Sequence, residues 1–166
     1  MQTTLKTHKV VRSSLILTLS TVLCVSLLSP SFELFDKTRF VTDLGVAYFS
    51  YHHWVAKPFK EGGFNNGAPK RTSSIIKAGA ALLFAANRVK AANKIAHESK
   101  DPLLHKLGSS LDNMTSSFTT IGEKFKSGKF NKEDVGTLGG SIDQVDSRAR
   151  AAKLKVRDVQ VAIPGA

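Results

Sequence analysis

Apolar residues recur at alternating intervals of three and four positions over most of the second half of the chain. This spacing places apolar side chains on one face of an α-helix, so it predicts two long amphipathic helices. One is expected to run from Asp101 to about Lys126, and the other from Asn131 to about Val159. The first run comprises Leu104, Leu107, Leu111, Met114, Phe118, Ile121 and Phe125. The second run comprises Val135, Leu138, Ile142, Val145, Ala149, Ala152, Val156 and Val159.

The same spacing predicts two helices in the first half of the chain. The first spans about residues 35–57 and ends before Pro58, because the residue that precedes a proline is displaced from the α region. The second spans about residues 72–97, with a serine or threonine at positions 72–74 as its cap. It has apolar residues on two faces, many alanines and Gly79, a pattern typical of a helix packed closely between neighbours.

Capping residues mark the ends of the third and fourth helices. Ser99 or Asp101 is expected to cap the third helix, and Gly128 to end it. Gly139 and Gly140 lie inside the fourth helix, where each destabilises by about 1 kcal/mol relative to alanine. Because the heptad phase is the same on both sides of this pair, we predict a continuous helix; the alternative is a kink.

Four helices without any strand pattern predict an all-α fold. Short turns between the later helices favour an antiparallel up-down four-helix bundle formed by residues 32–166. Since the first two helices carry the same 3-4 spacing as the last two, the apolar seam can be satisfied within one molecule. We therefore expect a monomer.

The first 31 residues have the three-part plan of a secretory signal peptide. Three basic residues precede an apolar stretch, residues 13–28, and small residues suit cleavage after Ser31. The sequence therefore predicts a secreted or extracytoplasmic protein. The alternative is an uncleaved anchor, although the 16 residues of the stretch are short for a membrane span, which needs about 20. Cys24 is the only cysteine and precedes the cut, so no disulfide is expected in the remaining chain.

The chain is strongly basic, with a formal charge of +11 at neutral pH. Three of its bases and none of its acids lie in the first 31 residues, so the remaining chain keeps +8 of the +11. A basic exported protein is suited to anionic partners such as wall polymers, lipid head groups or acidic proteins. Nucleic acid is an unexpected partner outside the cytoplasm. The alternative is that the charge only keeps the protein soluble.

The best candidate for a ligand site is the long connection at residues 58–71 with its flanks, at one end of the bundle. Its phenylalanines offer apolar contacts, its basic residues offer charge, and free N–H groups at the start of the second helix suit an anion. The alternative is that the phenylalanines fold back onto the bundle and the lysines are solvated. The candidate residues are His52, His53, Trp54, Lys57, Phe59, Lys60, Phe64, Lys70, Arg71, Thr72 and Ser73.

A second candidate is a basic patch at the opposite end of the bundle, suited to an anionic polymer or membrane surface. Its residues come from the second helix and from the last turns of the fourth, and Lys100 and Lys106 are expected nearby. The alternative is solvated helix faces. The patch residues are Arg88, Lys90, Lys94, Arg148, Arg150, Lys153, Lys155 and Arg157.

No motif for a cofactor, a metal or catalysis is present. The acidic residues form no Glu-x-x-His pair of the kind that binds two irons in a bundle, and no C-x-x-C-H attaches a haem. His97 and His105 flank one turn, but two ligands are fewer than a zinc site normally uses. No G-x-S-x-G nucleophile motif occurs. We therefore predict no catalytic residue, no metal and no cofactor.

These observations favour an exported noncatalytic binding or structural protein that acts on an anionic surface or partner. The alternative is a carrier of a small ligand or cofactor that uses the bundle end near residues 58–71. A third possibility is an envelope protein anchored through residues 13–28.

Overall fold

The computed structural model describes residues 29–166, with side chains from Leu34 onward. Within these residues the fold is all-helical, as predicted, and contains no β-strand. The apolar stretch at residues 13–28 and Cys24 lie outside the described residues. The expected cut after Ser31 falls inside the first described helix.

Seven helical elements and an extended C-terminal segment make up the described chain, and four of the helices have more than seven residues. Residues 61–70 connect α2 to α3, and residues 152–166 form the tail. The elements are α1 (Ser29–Tyr51), a π-helical turn (His52–Ala56), α2 (Lys57–Lys60), α3 (Arg71–Glu98), α4 (Pro102–His105), α5 (Gly108–Lys126) and α6 (Lys132–Ala151).

The chain divides into two compact units, one that ends at Phe35 and one from Asp36 to Ala166. In the first unit the described residues are the start of α1, where Leu34 and Phe35 are exposed. The second unit contains the hydrophobic core and all of the candidate site residues.

The core of the second unit follows the predicted seams. Every residue of the first seam is buried, and the second seam is buried from Val135 to Ala149. In this unit α3 packs along α5, and α5 packs along α6. α1 contacts α6 through Tyr51, whose hydroxyl donates a hydrogen bond to the Val135 carbonyl at 3.3 Å. It contacts α3 through an ion pair between Asp43 and Arg88 at 3.5 Å.

α3 and α5 approach each other closely through two glycines. A methyl group at Gly79 would lie 3.0 Å from the side chain of Lys126, and one at Gly122 would lie 3.0 Å from Leu83. This confirms that Gly79 admits a close neighbour. The second apolar face of α3 is less buried than predicted, since Ile76 is 55% exposed.

The prediction that the first helix ends before Pro58 is wrong. The helix continues past the proline because a wider, π-helical turn precedes it. In a regular α-helix the proline ring would collide with the carbonyl of residue 54, four positions earlier. The π-helical turn His52–Ala56 opens the helix at this place, and the chain continues as α2 to Lys60. The predicted stop is therefore wrong by one turn.

α3 begins at Arg71 without the serine or threonine cap that was predicted. Its N-cap residue is Lys70, in the left-handed conformation with φ of 61°, and no side chain caps the helix. The Arg71 side chain instead turns back and donates from Nε to the Phe64 carbonyl at 3.0 Å. The start of α3 is therefore fixed by its connection to the loop.

The third predicted helix is divided into α4 and α5. Asp101 caps α4 as predicted, because its carboxylate accepts a hydrogen bond from the Leu103 N–H at 2.8 Å. The chain turns at Lys106 and Leu107 before α5 begins at Gly108. A methyl group at Gly108 would lie 3.0 Å from the His97 ring, so this glycine permits the close approach of α3 to the start of α5.

α6 is continuous through Gly139 and Gly140, as predicted. Asn131 caps it, and Asp134 completes a reciprocal capping box. Gly139 lies under the Tyr51 hydroxyl, which a methyl group would meet at 3.0 Å, whereas Gly140 faces open space. The first glycine thus serves the contact between α1 and α6.

α6 ends at Ala151, however, and the predicted extension to Val159 is wrong. Lys153 adopts a left-handed φ of 61°, Leu154 N–H bonds to the Ala149 carbonyl, and Lys153 N–H bonds to the Arg150 carbonyl. This is a Schellman motif with lysine at the position that glycine usually occupies. The tail then runs extended, and Val159 N–H donates to the Gly45 carbonyl of α1 at 3.0 Å.

Candidate functional site

Five basic residues at the end of α6 and in the tail lie on the protein surface. Apolar and basic residues alternate in the extended tail, so Leu154 and Val156 pack against the core while the basic residues point outward. We call this set the cationic face: Arg148, Arg150, Lys153, Lys155 and Arg157, all of them exposed.

Most charges of the cationic face have no acidic partner. Arg150 pairs with Asp146 at 2.7 Å, one helical turn away. Among the described residues, none of the other four has a carboxylate within ion-pair distance. Asp158 is the nearest acid in sequence, but it turns to His52, with Oδ2 and Nδ1 2.8 Å apart. The face is therefore a concentration of uncompensated positive charge.

Two clefts open beside these residues. The first, which we call the α4–α6 cleft, has a volume of about 350 Å³ and is lined by Leu103, Lys106, Leu107, Arg148, Ala151 and Ala152. The second has a volume of about 270 Å³ and is lined by Arg150, Lys155, Val156 and Arg157. Arg148 and Arg150 leave α6 one residue either side of Ala149, so α6 contributes a cation to each cleft.

The α3 members of the predicted basic patch do not line either of these clefts. Arg88 lies over the Phe84 ring, 5.1 Å from its centre, and pairs with Asp43. Lys94 is 3.8 Å from Glu98, one turn along α3, and Lys90 is exposed. Arg88 and Lys94 therefore have acidic partners, whereas Arg148, Lys153, Lys155 and Arg157 on α6 and the tail have none among the described residues.

The phenylalanines of the predicted ligand site belong to the hydrophobic core. Phe64 is buried, and its ring lies edge-on to Phe125 and Phe130 at 5.4 and 5.5 Å. Phe125 and Phe130 stack at 3.9 Å, and Phe59 packs against Phe64 at 6.5 Å. These four rings close one end of the helical unit. The other loop residues named in the prediction, Lys60, Lys70, Thr72 and Ser73, are exposed.

A smaller cleft lies beside the π-helical turn, with a volume of about 210 Å³. We call it the Trp54 cleft. Lys77 places its Nζ 5.3 Å from the centre of the indole ring, and the indole Nε1 is buried without a hydrogen-bond partner in the described part of the chain. The cleft is lined by His53, Trp54, Lys57, Pro58, Glu61, Ser74 and Lys77.

The two neighbouring histidines make different contacts. His53 stacks on Phe49 at 5.1 Å and lies edge-on to Trp54 at 4.9 Å, within the Trp54 cleft. His52 contacts Tyr48, Tyr51 and the Asp158 carboxylate. The sequence analysis assigned both histidines to one ligand site, but they share no contact in these interactions. His52 contacts the tail through Asp158, whereas His53 lies in the Trp54 cleft.

The side chains that could bind a metal ion are scattered over the described residues. These residues contain no group of three or more His, Cys, Asp or Glu side chains close enough to share a metal ion. The His97 ring lies beside Gly108, and its Nε2 is 3.9 Å from Asp112.

Two buried carboxylates are fixed by ion pairs at helix starts. The hydrogen bond from Lys37 at 2.7 Å, with that from the Leu103 N–H, holds the pKa of Asp101 below its ordinary value of 3.8. Burial raises the pKa of Asp134, but the hydrogen bonds from Lys124 and from the Asn131 N–H lower it further, so the net shift is downward. Both carboxylates are charged at neutral pH and cap helices.

Tyr48 is a buried phenol with a strongly shifted pKa. Burial, followed by the nearby carboxylates of Asp146 and Asp143, raises the pKa of Tyr48 far above its ordinary value of 10.0. Its hydroxyl has no hydrogen-bond partner within the described part of the molecule. A phenol with a raised pKa stays protonated, so it is a poor candidate for an acid–base catalyst near neutral pH.

Sequence reasoning missed Leu103 and Leu107 as members of a cleft. The signal was an alternation of apolar and polar residues at positions 154–157 and again at 159–161, typical of extended backbone. Only an extended tail ends α6 early enough for Ala151 and Ala152 to line the α4–α6 cleft. In the prediction Ala152 lay on the apolar seam of a longer helix.

Comparison of the chain with protein-family models, curated protein sequences and solved structures gave no match. Among the described helices, none combines the length and the apolar character that a membrane span requires.

Proposed function

We propose that this chain is an exported, noncatalytic binding protein that attaches to an anionic surface or partner through the cationic face. The single observation that carries the proposal is the set of four exposed cations, Arg148, Lys153, Lys155 and Arg157, that have no acidic partner among the described residues. The end of α6 and the tail hold them side by side. A cation that is already paired with a carboxylate gains little free energy from a second anion. An unpaired surface cation, by contrast, attracts a polyanion over distances up to about a Debye length.

We further propose that the scaffold is an antiparallel four-helix bundle of α1, α3, α5 and α6. The contacts of α1 with both α3 and α6, and of α5 with both α3 and α6, support that arrangement. In this proposal the bundle is a monomer, it lies outside the cytoplasm, and nucleic acid is not its partner. Sequencing the N-terminus of the purified native protein separates a secreted form from one anchored through residues 13–28.

A salt titration tests the proposed function. The full chain is mixed with vesicles that contain phosphatidylglycerol, or with a soluble polyanion such as dextran sulfate, and the bound fraction is measured at rising salt. We expect binding at low salt that weakens steeply towards about 0.5 M, because screening removes surface electrostatics. Absence of binding to both probes at low salt contradicts the proposal.

A charge-matched pair of variants locates the binding surface. Replacing Lys153 and Lys155 by glutamine removes two charges from the cationic face, and we expect about a fivefold weaker affinity for each, by the usual effect of a basic residue at an anionic surface. Replacing Lys129 and Lys132 removes the same charge from exposed positions around the α5–α6 turn. Equal weakening in both variants would show that only net charge matters.

A second candidate function is a carrier of a small ligand in the Trp54 cleft. The observation that favours it is the buried indole Nε1, which has no partner among the described residues and belongs to a side chain that lines a cleft with Lys57, Lys77 and Ser74. Trp54 is the only tryptophan of the chain, so its fluorescence reports on this cleft alone. Small carboxylates or phosphate that change the emission of the wild type, but not that of Lys77→Gln, would support a carrier. An emission unchanged by all of them contradicts it.

A further inference from the structure

We propose that the α4–α6 cleft takes an anionic lipid, with its acyl portion on the apolar floor and its head group between Lys106 and Arg148. This inference rests on the proposed function and names the class of its partner: an amphiphile of a membrane surface, and not a uniformly polar polymer. The cleft, with its flanking cations, combines the two properties that such a ligand requires.

The floor of the cleft is apolar, and Leu103 and Ala151 on it are exposed. It consists of Leu103, Leu107, Ala151 and Ala152, and its volume of about 350 Å³ lies at the lower end of the range of ligand pockets. Leu103 remains 41% exposed although the adjacent Leu104 is fully buried. An exposed leucine in a concave surface gains free energy from any apolar group that covers it.

Backbone structure holds this floor in place. Asp101 caps α4 and pairs with Lys37, and the buried Leu104 and Leu107 fix α4 to the core on either side of the turn. On the opposite wall, the Schellman motif at Lys153 ends α6 directly after Ala151. Leu103 is thus presented outward by an element that is itself anchored.

The charges beside the floor have the sign of a phosphate-binding site. Lys106 and Arg148 line the cleft, and neither has a carboxylate within ion-pair distance in the described part of the chain. Arg150, Lys155 and Arg157 line the neighbouring cleft. An anionic head group at the rim would therefore meet Lys106 and Arg148 in the cleft itself. The cations of the neighbouring cleft, along the C-terminal segment of the protein, would lie further along the same surface.

Charge complementarity together with the apolar floor favours a lipid over the other anionic partners. A polysaccharide or polyphosphate would satisfy the cations but leave the exposed Leu103 without an apolar partner. A free phosphate would do the same. An amphiphile satisfies both surfaces at once, which is the usual design of sites on membrane-surface proteins.

The test compares two apolar-to-serine substitutions in the full chain. Leu103→Ser removes the exposed apolar residue of the cleft, and Ile76→Ser removes one of similar exposure from α3 as the control. Binding is measured to phosphatidylcholine vesicles that contain phosphatidylglycerol, and separately to dextran sulfate. All variants carry the same N-terminal residues, so any contribution of those residues cancels.

We expect Leu103→Ser to weaken vesicle binding about tenfold, because the acyl portion then covers less apolar surface, and to leave dextran sulfate binding unchanged. Ile76→Ser should leave both unchanged. Lys106→Gln with Arg148→Gln should weaken both, by about fivefold for each cation. Because Leu103 is exposed, the serine variant is expected to fold, and circular dichroism checks that it does.

Two results overturn the inference without touching the proposed function. One is equal vesicle binding by Leu103→Ser and Ile76→Ser, and the other is binding of dextran sulfate but not of vesicles by the wild type. A third result concerns competition. If glycerol phosphate displaces the vesicles as effectively as a short-chain phosphatidylglycerol does, only the head group is bound, and the proposed acyl contact with the cleft floor is wrong. Failure to bind either probe would instead overturn the proposed function itself.

Discussion

The two ends of the helical unit are finished in different ways. At the end where α5 turns into α6, four phenylalanine rings close the core, with Phe125 and Phe130 stacked at 3.9 Å. At the other end, α4 and the last turn of α6 leave a cleft of about 350 Å³ with an exposed Leu103 on its floor. We call these the closed end and the open end. In the proposed function, this difference separates stability from binding: one end is filled with apolar rings, and the other keeps apolar surface uncovered.

Removing a ring at the closed end should have the largest effect. Phe125→Ala deletes a fully buried side chain that contacts Phe64 and Phe130, and we expect it to lower the free energy of unfolding by about 3–5 kcal/mol. Leu103→Ala at the open end should change it by less than about 0.5 kcal/mol, as is usual for exposed positions. Urea denaturation measures both. Similar effects at the two positions would show that the cleft is part of the core.

The tail that borders the open end depends on one glycine of α1. A methyl group at Gly45 would collide with the Arg157 carbonyl oxygen and lie 2.7 Å from Val159. We expect Gly45→Ala to displace the tail, to cost about 1–3 kcal/mol, and to speed tryptic cleavage after Lys155 and Arg157. Gly140→Ala, where the space is open, should instead stabilise α6 by up to about 1 kcal/mol. Unchanged tryptic cleavage in Gly45→Ala would show that the tail is held elsewhere.

Each end also has a carboxylate that caps a helix, and its contribution should depend on pH. The pKa of Asp134 and that of Asp101 are lowered in the folded protein, so each stabilises fully above its unfolded value of about 3.8 and loses that effect as the pH falls towards its folded value. We expect Asp134→Asn and Asp101→Asn each to cost about 1 kcal/mol at pH 7, because the lysine that donates to each carboxylate loses a charged acceptor. In urea denaturation the deficit should shrink below about pH 4. A deficit that is constant with pH would show that the carboxylate charge is not responsible.

The smallest effect concerns the two Schellman motifs, one at each end. Gly128 ends α5 at the closed end with φ of 69°, and Lys153 ends α6 at the open end with φ of 61°. Lysine is strained in this region and glycine is not, so we expect Lys153→Gly to stabilise by about 0.5 kcal/mol. Gly128→Ala should destabilise the protein by about 1 kcal/mol through backbone strain at positive φ. A steric clash does not contribute, because no atom lies within 4 Å of the added methyl group. Thermal unfolding measures both, and a lower stability of Lys153→Gly would contradict the assignment of strain.

The heptad pattern was sufficient to predict the helices and their buried faces. The periodicity of Leu104 to Phe125 and of Val135 to Ala149 corresponds to side chains that are buried in the structure. Gly128, Asn131 and Asp101 were identified as helix ends because their residue types have local reasons to be there. The all-helical fold was therefore predictable from spacing and capping alone.

Helix ends that lack a local signal could not be predicted. Lys153 ends α6 although lysine is a good helix former, because Leu154 and Val156 reach the core only from extended backbone. Pro58 fails to end the first helix because a π-helical turn relieves the expected collision. Tertiary packing overrides the local preference at Lys153, and a local change of helix type does so at Pro58.

The candidate sites were less predictable than the fold for a similar reason. Phe64 and Lys70 are both loop residues of the same connection, residues 61–70, yet one is buried in the core and the other is exposed. The sequence analysis gave this outcome only as the alternative, because the sequence does not show that Phe64 meets the rings of Phe125 and Phe130. Likewise, Arg88 and Arg148 are equally basic, but only Arg88 meets a carboxylate across a helix interface. Which charges are free depends on contacts between distant parts of the chain.

The hydrogen bond between the Val159 N–H and the Gly45 carbonyl has a consequence for biosynthesis. Its two residues lie near opposite ends of the described chain, so the bond cannot form until Val159 has left the ribosome. The four long helices can pair earlier, through contacts closer in sequence. Three of the five charges of the cationic face lie in the tail and reach their places only after this last docking step. If the cationic face is the binding surface proposed above, a nascent chain with its helices already paired cannot yet attach through it, which delays adhesion until synthesis has passed the tail.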